Sequence, residues 1–149
     1  MGRLDGRTAV VTGAAHGDRA ALGVVYAKAL AAEGAKVVVA DVKDTSDVAA
    51  EIIADGGDAL ALSVDVTDEA QVNELMAKTV DHFGSLEVLI NNAAIGSNIP
   101  QIPVTEMSVE DWDALMAVNV RGSFLCVKAA VPQMQKKKYG KIFNIGSTT

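Results

Sequence analysis

The sequence has 149 residues, a net charge of −6 and an apolar fraction of 50%, which together predict a single domain with a substantial core. The acidic balance argues against a nucleic-acid partner bound through a basic face. One cysteine and two distant histidines, His16 and His82, exclude a disulfide framework and a local metal motif, so we expect no metal site. Because no apolar run approaches about 18 residues and the first residues lack the apolar core of a signal peptide, we expect no membrane span and a cytoplasmic location.

Short apolar strand patterns alternate with helical patterns along the chain. We predict strands over residues 8–12, 36–41, 59–66, 86–90 and 141–145. We predict helices over residues 22–33, 46–55, 67–83 and 109–137, with the hydroxyl groups of Ser46, Thr67 and Ser108 as N-caps. Strands that alternate with helices of this length predict βαβ units and a parallel sheet.

The first predicted strand ends in a glycine-rich turn, from Thr12 to Gly17, that leads to the first helix. In such a turn the backbone N–H groups can approach a pyrophosphate, and the N-terminus of the helix adds a favourable dipole. A tight turn without any ligand has the same composition. The βαβ context and the acid at the end of the second strand, Asp41, favour a phosphate-binding turn.

Thr12, Gly13 and Gly17 match the start of the pattern Thr-Gly-x-x-x-Gly-x-Gly, and the chain resembles the N-terminal part of a short-chain dehydrogenase/reductase. The third glycine departs from that pattern, because Asp18-Arg19-Ala20-Ala21 stand before Leu22-Gly23. If Leu22-Gly23 replaces the usual Ile-Gly, about four residues are inserted, which is about one helical turn. We then expect Gly23 to allow the close helix–strand packing that the third glycine provides.

The resemblance implies an NAD(P)-binding domain over residues 1–149, with a doubly wound parallel α/β sheet of the Rossmann type. The implied strand order is 3-2-1-4-5, and we expect the chain to stop before the last strands and before the catalytic and substrate-binding part. The resemblance also implies which residues contact the dinucleotide, namely Gly13, Ala15, His16, Gly17, Leu22, Gly23, Asp41, Asp65, Val66, Asn92 and Ala93.

Two of these groups keep a structural alternative. Asp65-Val66 resembles the pair that contacts adenine in the family, but Asp65 can instead help to cap the helix at Thr67. Asn91-Asn92-Ala93-Ala94 resembles the signature Asn-Asn-Ala-Gly, with Ala94 in place of the glycine. The resemblance implies that Asn92 and Ala93 lie beside the cofactor ribose and that Asn91 ties strands together. Both amides must be hydrogen-bonded if they are buried, so a purely structural role remains open.

Asp41 predicts NAD rather than NADP as the cofactor. A carboxylate at this position can accept hydrogen bonds from the adenine ribose, whereas a 2′-phosphate would meet a like charge. Two unit charges about 4 Å apart repel by about 4 kcal/mol at an effective dielectric constant of 20. His16 and Arg19 are the cations that could reduce this repulsion. The alternative is a solvated acid at the end of a strand.

The resemblance implies two catalytic residues, Asn119 and Ser147. In the family the asparagine supports a local break in a helix and a proton-relay water, and the serine orients the substrate carbonyl. The structural alternatives are a core asparagine with a satisfied amide and a turn serine after a strand. The resemblance also implies the reaction, a hydride transfer between the nicotinamide and a small secondary alcohol or ketone.

The family's acid–base pair, Tyr-x-x-x-Lys, is not found in these residues. Tyr26 and Tyr139 are followed four residues later by Leu30 and Phe143. We therefore expect this chain to be the front part of an NAD-dependent oxidoreductase and to be inactive by itself. The main alternative is a non-catalytic nucleotide-binding module that partners an intact relative, and a weaker one is an epimerase or another Rossmann enzyme.

The predicted helix over residues 109–137 is apolar nearly all round. A helix of this kind buries more than one face. We therefore expect a homo-oligomer that assembles through this helix, in agreement with the resemblance to an oligomeric family.

Overall fold

Five parallel strands form the centre of the molecule, which a computed structural model describes for residues 2–17, 21–96 and 102–146. All neighbouring strands pair in parallel. Their order is β3-β2-β1-β4-β5, which confirms the doubly wound sheet predicted from the sequence. The strands are β1 (Thr8–Thr12), β2 (Lys36–Asp41), β3 (Asp58–Ser63), β4 (Val88–Asn91) and β5 (Lys141–Asn144).

Helices connect the strands and cover both faces of the sheet. They are α1 (Leu22–Ala32), α2 (Ser46–Ala54), α3 (Glu69–Phe83), α4 (Val109–Met116) and α5 (Ser123–Lys137). A π-helical segment, Ala117–Gly122, joins α4 to α5. The single helix predicted over residues 109–137 is therefore continuous but contains a stretch with altered hydrogen bonding, as often occurs at functional sites.

The core consists of two apolar layers, one on each face of the sheet. Because side chains alternate along a strand, Val10 and Val38 point into one layer while Val11 and Val39 point into the other. The first layer packs against α3 and α5, and the second packs against α1 and α2. β1 is buried at every position, which explains why its sequence, Thr-Ala-Val-Val-Thr, is rich in β-branched residues and does not alternate between apolar and charged ones.

The third strand is shorter than predicted. β3 ends at Ser63, whereas the apolar pattern suggested a strand that continues to Val66. The Val64 N–H donates to the Asp41 carbonyl, and the chain then turns at Asp65 toward α3. Val64 and Val66 are apolar because they are buried in the core layer below α3, not because they belong to the strand.

The N-cap of α2 differs from the prediction. Ser46 is the first residue of the helix, and its hydroxyl donates to Asp44 Oδ1 over 2.6 Å. Thr45 occupies the N-cap position but makes no capping hydrogen bond. Its hydroxyl points into the sheet and donates to the Val39 carbonyl over 2.9 Å.

The N-cap of α3 is Asp68 rather than Thr67. The Asp68 carboxylate accepts hydrogen bonds from the N–H groups of Ala70 and Gln71. The Thr67 hydroxyl is not free for this role, because it donates to Asp65 Oδ1 over 2.7 Å. By contrast, Ser108 caps α4 as predicted, since its hydroxyl accepts from the Asp111 N–H over 3.0 Å.

Among the described residues, one helical run, Val109–Lys137, is long and apolar enough to cross a membrane by length and composition alone. This finding corrects the sequence prediction that no apolar run is long enough, because a stretch interrupted by one or two charged residues can still be apolar enough to span. One such helix is weak evidence for a membrane span, since the core helix of a soluble protein passes as well. Here Leu125, Cys126 and Ala130 are buried in the core layer that packs on the sheet.

The Asp68 cap gives a prediction about pH and stability. Hydrogen bonds from Gln71, and then from the Ala70 N–H, hold the pKa of the Asp68 carboxyl below its ordinary value. A lowered pKa means that the folded state prefers the ionised form, so this contribution is present above the unfolded pKa and is lost as the pH falls through the folded one. Asp68→Ala should therefore lower the Tm at pH 7, and the difference from wild type should shrink below about pH 4.

The matched control is Asp81→Ala, which removes an exposed acid from the last turn of the same helix. It should leave the Tm at pH 7 nearly unchanged or raise it slightly, because an acid there opposes the helix dipole. Equal losses of Tm in the two variants at pH 7 would contradict the assignment of Asp68 as the cap.

Candidate functional site

The ends of β1 and β4 are joined by the hydroxyl group of Thr12. This buried oxygen accepts hydrogen bonds from the N–H groups of Asn92, over 3.1 Å, and Ala93, over 3.2 Å. It lies 3.3 Å from the Ile90 carbonyl oxygen, to which it can donate its own proton. The Thr12 hydroxyl therefore links the end of β1 to the end of β4 and to the two residues that follow β4.

The Asn92 side chain ties the glycine-rich turn to the same place. Its Nδ2 donates to the carbonyl oxygens of Thr12, over 3.2 Å, and Gly13, over 2.9 Å. Gly13 has a φ of +66°, and a Cβ at this position would lie 2.7 Å from Ala93 Cα. Only glycine meets both conditions, so the turn and the end of β4 approach each other through Gly13.

Gly23 allows α1 to pack closely against this turn. A Cβ at Gly23 would lie 2.2 Å from the Gly13 carbonyl oxygen and 2.8 Å from Asn92 Nδ2. This is the close packing expected for the third glycine of the motif, found here at the shifted position. Leu22 precedes it as the first residue of α1 and is half exposed. Asp18, Arg19 and Ala20 of the predicted insertion lie outside the described residues.

Asp41 connects the glycine-rich turn to the end of β2. Its Oδ2 accepts a hydrogen bond from the Ala15 N–H over 3.2 Å, and its Oδ1 accepts one from the Lys43 N–H over 3.0 Å. The carboxylate is partly exposed at the edge of the sheet. Lys43 is a nearby cation that sequence reasoning missed, although its position two residues after Asp41 in the same turn could have indicated it.

Asp65 serves the structural role that the sequence left open. Its Oδ1 accepts hydrogen bonds from the N–H of Thr67, over 2.9 Å, and from the Thr67 hydroxyl. Its own N–H donates to Gln71 Oε1 over 2.9 Å. Among the described residues no donor reaches Oδ2, so one carboxylate oxygen remains available at the surface of the site.

A cleft of about 130 Å³ brings the ends of the strands together. Five of the predicted contact residues line it: Gly13, Asp41, Asp65, Val66 and Ala93. The other residues of the lining were not predicted as contact residues, and they are Ala40, Val42, Val64, Ala94, Ile95 and Val118. The walls are thus mainly apolar, with the carboxylates of Asp41 and Asp65 among them, and this composition suits a flat aromatic base beside a ribose.

Gly122 places the long helix against this cleft. It is buried, and a Cβ at this position would lie 2.7 Å from Val66 Cγ2. The π-helical segment therefore rests directly on Val66. Sequence reasoning missed Gly122, and the conflict between a glycine and a helix interior was the signal that could have found it.

Asn119 lies in the π-helical segment and pairs with the backbone of Ile95. Its Oδ1 accepts from the Ile95 N–H, and its Nδ2 donates to the Ile95 carbonyl, each over 2.9 Å. Its own carbonyl oxygen accepts from the Ser123 hydroxyl over 3.3 Å. The asparagine thereby holds the loop after β4 against the helix. Ser147, the other predicted catalytic residue, lies outside the described residues.

Asn91 ties two strands together. Its Nδ2 donates to Asn144 Oδ1 over 2.9 Å, which joins the end of β4 to the end of β5. The Asn91 side chain is buried in the sheet, and it does not line the cleft. His16 and Gly17 are exposed on the glycine-rich turn.

The carboxyl edge of the sheet thus combines a glycine-rich turn, the N-terminus of α1 and an apolar cleft with carboxylates. Backbone N–H groups of such a turn suit a pyrophosphate, and the cleft suits an adenosine. The residues present therefore fit a dinucleotide. Comparison with known proteins decides the family, because the family model for short chain dehydrogenases matches residues 7–149. This chain belongs to the short-chain dehydrogenase family.

Two curated relatives have similar sequences. The 2,5-dichloro-2,5-cyclohexadiene-1,4-diol dehydrogenase of Sphingobium indicum is 44% identical over 147 residues, which cover 97% of this chain and 56% of that protein. The 3-oxoacyl-(acyl-carrier-protein) reductase of Synechocystis is 42% identical over 150 residues, which cover 99% of this chain and 58% of that protein. The chain therefore spans little more than half the length of these members of the family.

A solved structure has the same fold. It is that of a metagenomic short-chain oxidoreductase in complex with NADP, with a TM-score of 0.87 and 34% sequence identity. The match covers 98% of this chain and 64% of the solved one. The fold of this short-chain dehydrogenase chain is thus shared with a protein that binds a nicotinamide dinucleotide.

The close packing at Gly23 gives a prediction about stability. Gly23→Ala should destabilise the protein by about 1–3 kcal/mol, because the new methyl group overpacks the contact with Gly13. Gly17→Ala is the matched control, since among the described residues no atom lies within 4 Å of a Cβ built there. Urea unfolding should show a large loss for the first variant and a change of less than about 0.5 kcal/mol for the second. Equal stability of both variants would show that Gly23 does not carry the packing role.

Proposed function

We propose that residues 1–149 form the dinucleotide-binding domain of an NAD-dependent oxidoreductase. Its reaction is a hydride transfer between the nicotinamide and a small secondary alcohol or the corresponding ketone. The observation that carries this proposal is the Asp41 carboxylate, which two backbone N–H groups hold at the mouth of the apolar cleft.

The charge of Asp41 is the reason for naming NAD. A carboxylate fixed by backbone donors can still accept hydrogen bonds from two ribose hydroxyls, whereas a 2′-phosphate would be repelled. The repulsion of two unit charges about 4 Å apart is about 4 kcal/mol at an effective dielectric constant of 20. The solved relative binds NADP, so the family as a whole accommodates both forms. In this chain the local charge favours the unphosphorylated one.

Each part of the dinucleotide has a matching group of residues in this proposal. The backbone N–H groups around Gly13, Ala15, His16 and Gly17 hold the pyrophosphate, with Leu22 and Gly23 at the start of α1 beside it. Asp65 and Val66 contact the adenine. Asn92 and Ala93 lie beside the nicotinamide ribose. The nicotinamide, when bound, accepts or donates the hydride.

On the substrate side we propose positioning and proton-relay roles for Asn119 and Ser147. The pairing of Asn119 with Ile95 and the π-helical segment around it support such a role, because they fix the backbone beside the cleft. The Tyr-x-x-x-Lys pair is not within these 149 residues. Tyr26 belongs to α1, and Tyr139 packs 4.0 Å from the Arg7 guanidinium at the opposite edge of the sheet. We therefore expect these residues to bind the cofactor without turning over substrate.

The alternative of a non-catalytic nucleotide-binding module is less well supported. The curated relatives are named as a dehydrogenase and a reductase. An epimerase is likewise not favoured, because the family model and both relatives point to oxidoreductases. We also propose a cytoplasmic location for the protein, which is the default for an acidic chain of this composition.

We further propose that the protein is a homo-oligomer assembled through the long helix. An apolar stripe runs along α4, the π-helical segment and the start of α5. Its four members are 40–59% exposed, and they are Trp112, Met116, Val120 and Phe124. A contiguous apolar patch of this kind typically marks an interface.

Asp41 supplies the test of the proposed function. Isothermal titration of the wild-type protein should give a lower Kd for NAD than for NADP, by at least about tenfold. Asp41→Ala should bring the two constants together, because the repulsion of the 2′-phosphate is gone. Asp41→Asn keeps the shape of the side chain and should have the same effect, which separates charge from size. Discrimination that stays unchanged in both variants would refute the cofactor assignment.

The apolar stripe supplies a test of the assembly. Val120→Glu should weaken self-association by more than about tenfold, because an unpaired carboxylate would be buried in the interface. Val104→Glu makes the same change at a side chain that is 81% exposed and lies outside the helix. Sedimentation equilibrium should show dissociation for the first variant alone. A wild-type monomer, or equal association of all three proteins, would rule out this interface.

A further inference from the structure

Three polar side chains link the glycine-rich turn to the two helices beside it. His16 Nε2 lies 3.1 Å from Glu51 Oε1, and Lys28 Nζ lies 2.5 Å from Glu51 Oε2. His16 belongs to the turn, Lys28 to α1 and Glu51 to α2. One carboxylate therefore holds two basic side chains, one through each of its oxygens.

The Glu51 carboxylate is ionised at neutral pH. The hydrogen bond from Lys28, followed by that from His16, holds the pKa of the Glu51 carboxyl below its ordinary value. All three side chains are between 40% and 45% exposed, so they lie at the surface rather than in the core. Surface ion pairs of this kind contribute little to stability. Their arrangement therefore calls for an explanation other than holding the fold together.

The position of this cluster relative to Asp41 provides that explanation. The Ala15 N–H donates to Asp41 Oδ2, and His16 is the next residue of the turn. The proposed function places the adenine ribose at Asp41. A phosphate on the 2′ oxygen of that ribose would stand beside the turn that carries His16, where a basic side chain free to turn toward it would attract it.

We propose that Glu51 is a specificity-determining residue, which excludes dinucleotides with a 2′-phosphate by holding the His16 imidazole and the Lys28 ammonium on its own carboxylate. This inference rests on the proposed function, because it concerns the same nucleotide site. Glu51 touches neither the reacting atoms nor the ribose. It is a positioning residue that acts through His16.

Glu51 and Asp41 then exclude the 2′-phosphate in two different ways. Asp41 repels it directly, from the end of β2. Glu51 removes a possible counter-charge and adds a second negative charge nearby. Lys43, two residues after Asp41, is unchanged in any Glu51 variant, so its contribution cancels in the comparison.

The test uses Glu51→Gln in the full-length protein, with NAD and NADP as the titrated ligands. The substitution releases His16 and Lys28 and makes the local charge more positive by one unit. The ratio of NADP affinity to NAD affinity should rise by roughly tenfold: about threefold from the loss of one unit charge at about 10 Å in a partly aqueous medium, and the rest from the freed His16 side chain. Glu74→Gln is the matched control, because Glu74 also pairs with a lysine, Lys78, over 2.8 Å, but on α3.

A second variant tests whether the effect passes through His16. In the double variant Glu51→Gln with His16→Ala, the gain in the affinity ratio should fall to about threefold, the part that the lost charge of Glu51 contributes by itself. A loss of folding would change both affinities together and would not move their ratio, so the readout does not depend on equal stability of the variants.

Each outcome decides the proposal. A ratio that rises for Glu51→Gln, stays constant for Glu74→Gln and falls back in the double variant supports it. A ratio in Glu51→Gln that stays within twofold of wild type, while wild type binds NAD, overturns this inference and leaves the proposed function intact. A gain that is as large without His16 as with it also overturns it. Wild-type protein that binds neither dinucleotide overturns both.

Discussion

The hydrogen bonds between Thr12 and Asn92 are the constraint on which the rest of the site depends. In a parallel sheet, the loops at the carboxyl ends of β1 and β4 leave from neighbouring strands and would otherwise separate. The Thr12 hydroxyl and the Asn92 amide close this gap from both sides. Gly13 and Gly23 then matter because they have no side chain to keep the turn, the end of β4 and α1 apart.

Charge defines the site as much as shape does. The cleft is mainly apolar, and its ionised groups are held by backbone donors or by other side chains: Asp41 by Ala15 and Lys43, Asp65 by Thr67. Fixed negative charge at the end of β2 distinguishes a ribose hydroxyl from a phosphate. The cluster of His16, Lys28 and Glu51 extends this selection beyond the residues that line the cleft.

The elements buried on both sides were the most predictable from sequence. β1 and β2 begin and end as predicted, because a strand covered on both faces has a continuous run of buried residues that is rich in β-branched side chains. The N-caps at Ser46 and Thr67 were wrong, since neighbouring polar residues compete and the winner depends on where each hydroxyl points. The end of β3 was missed because Val64 and Val66 are buried for a different reason than strand pairing.

In the candidate site, residues within local motifs were predictable from the sequence and contacts between distant segments were not. The residues of local motifs, such as Gly13, Gly23 and Asn92, contact one another because short segments after strands meet at one edge of the sheet. The contacts between distant segments could not be predicted. His16 and Glu51 are 35 positions apart, Asn119 and Ile95 are 24 apart, and no sequence pattern reports such pairs.

A crystal structure of the protein with NAD bound tests the central claim most directly. The account predicts the adenosine in the cleft between Val42, Asp65 and Val118, its ribose at Asp41, and the pyrophosphate over the turn at Gly13. A dinucleotide bound anywhere else would contradict it. The larger cavity of about 430 Å³ between the C-terminal ends of α1 and α2, at the opposite edge of the sheet, is the clearest such place.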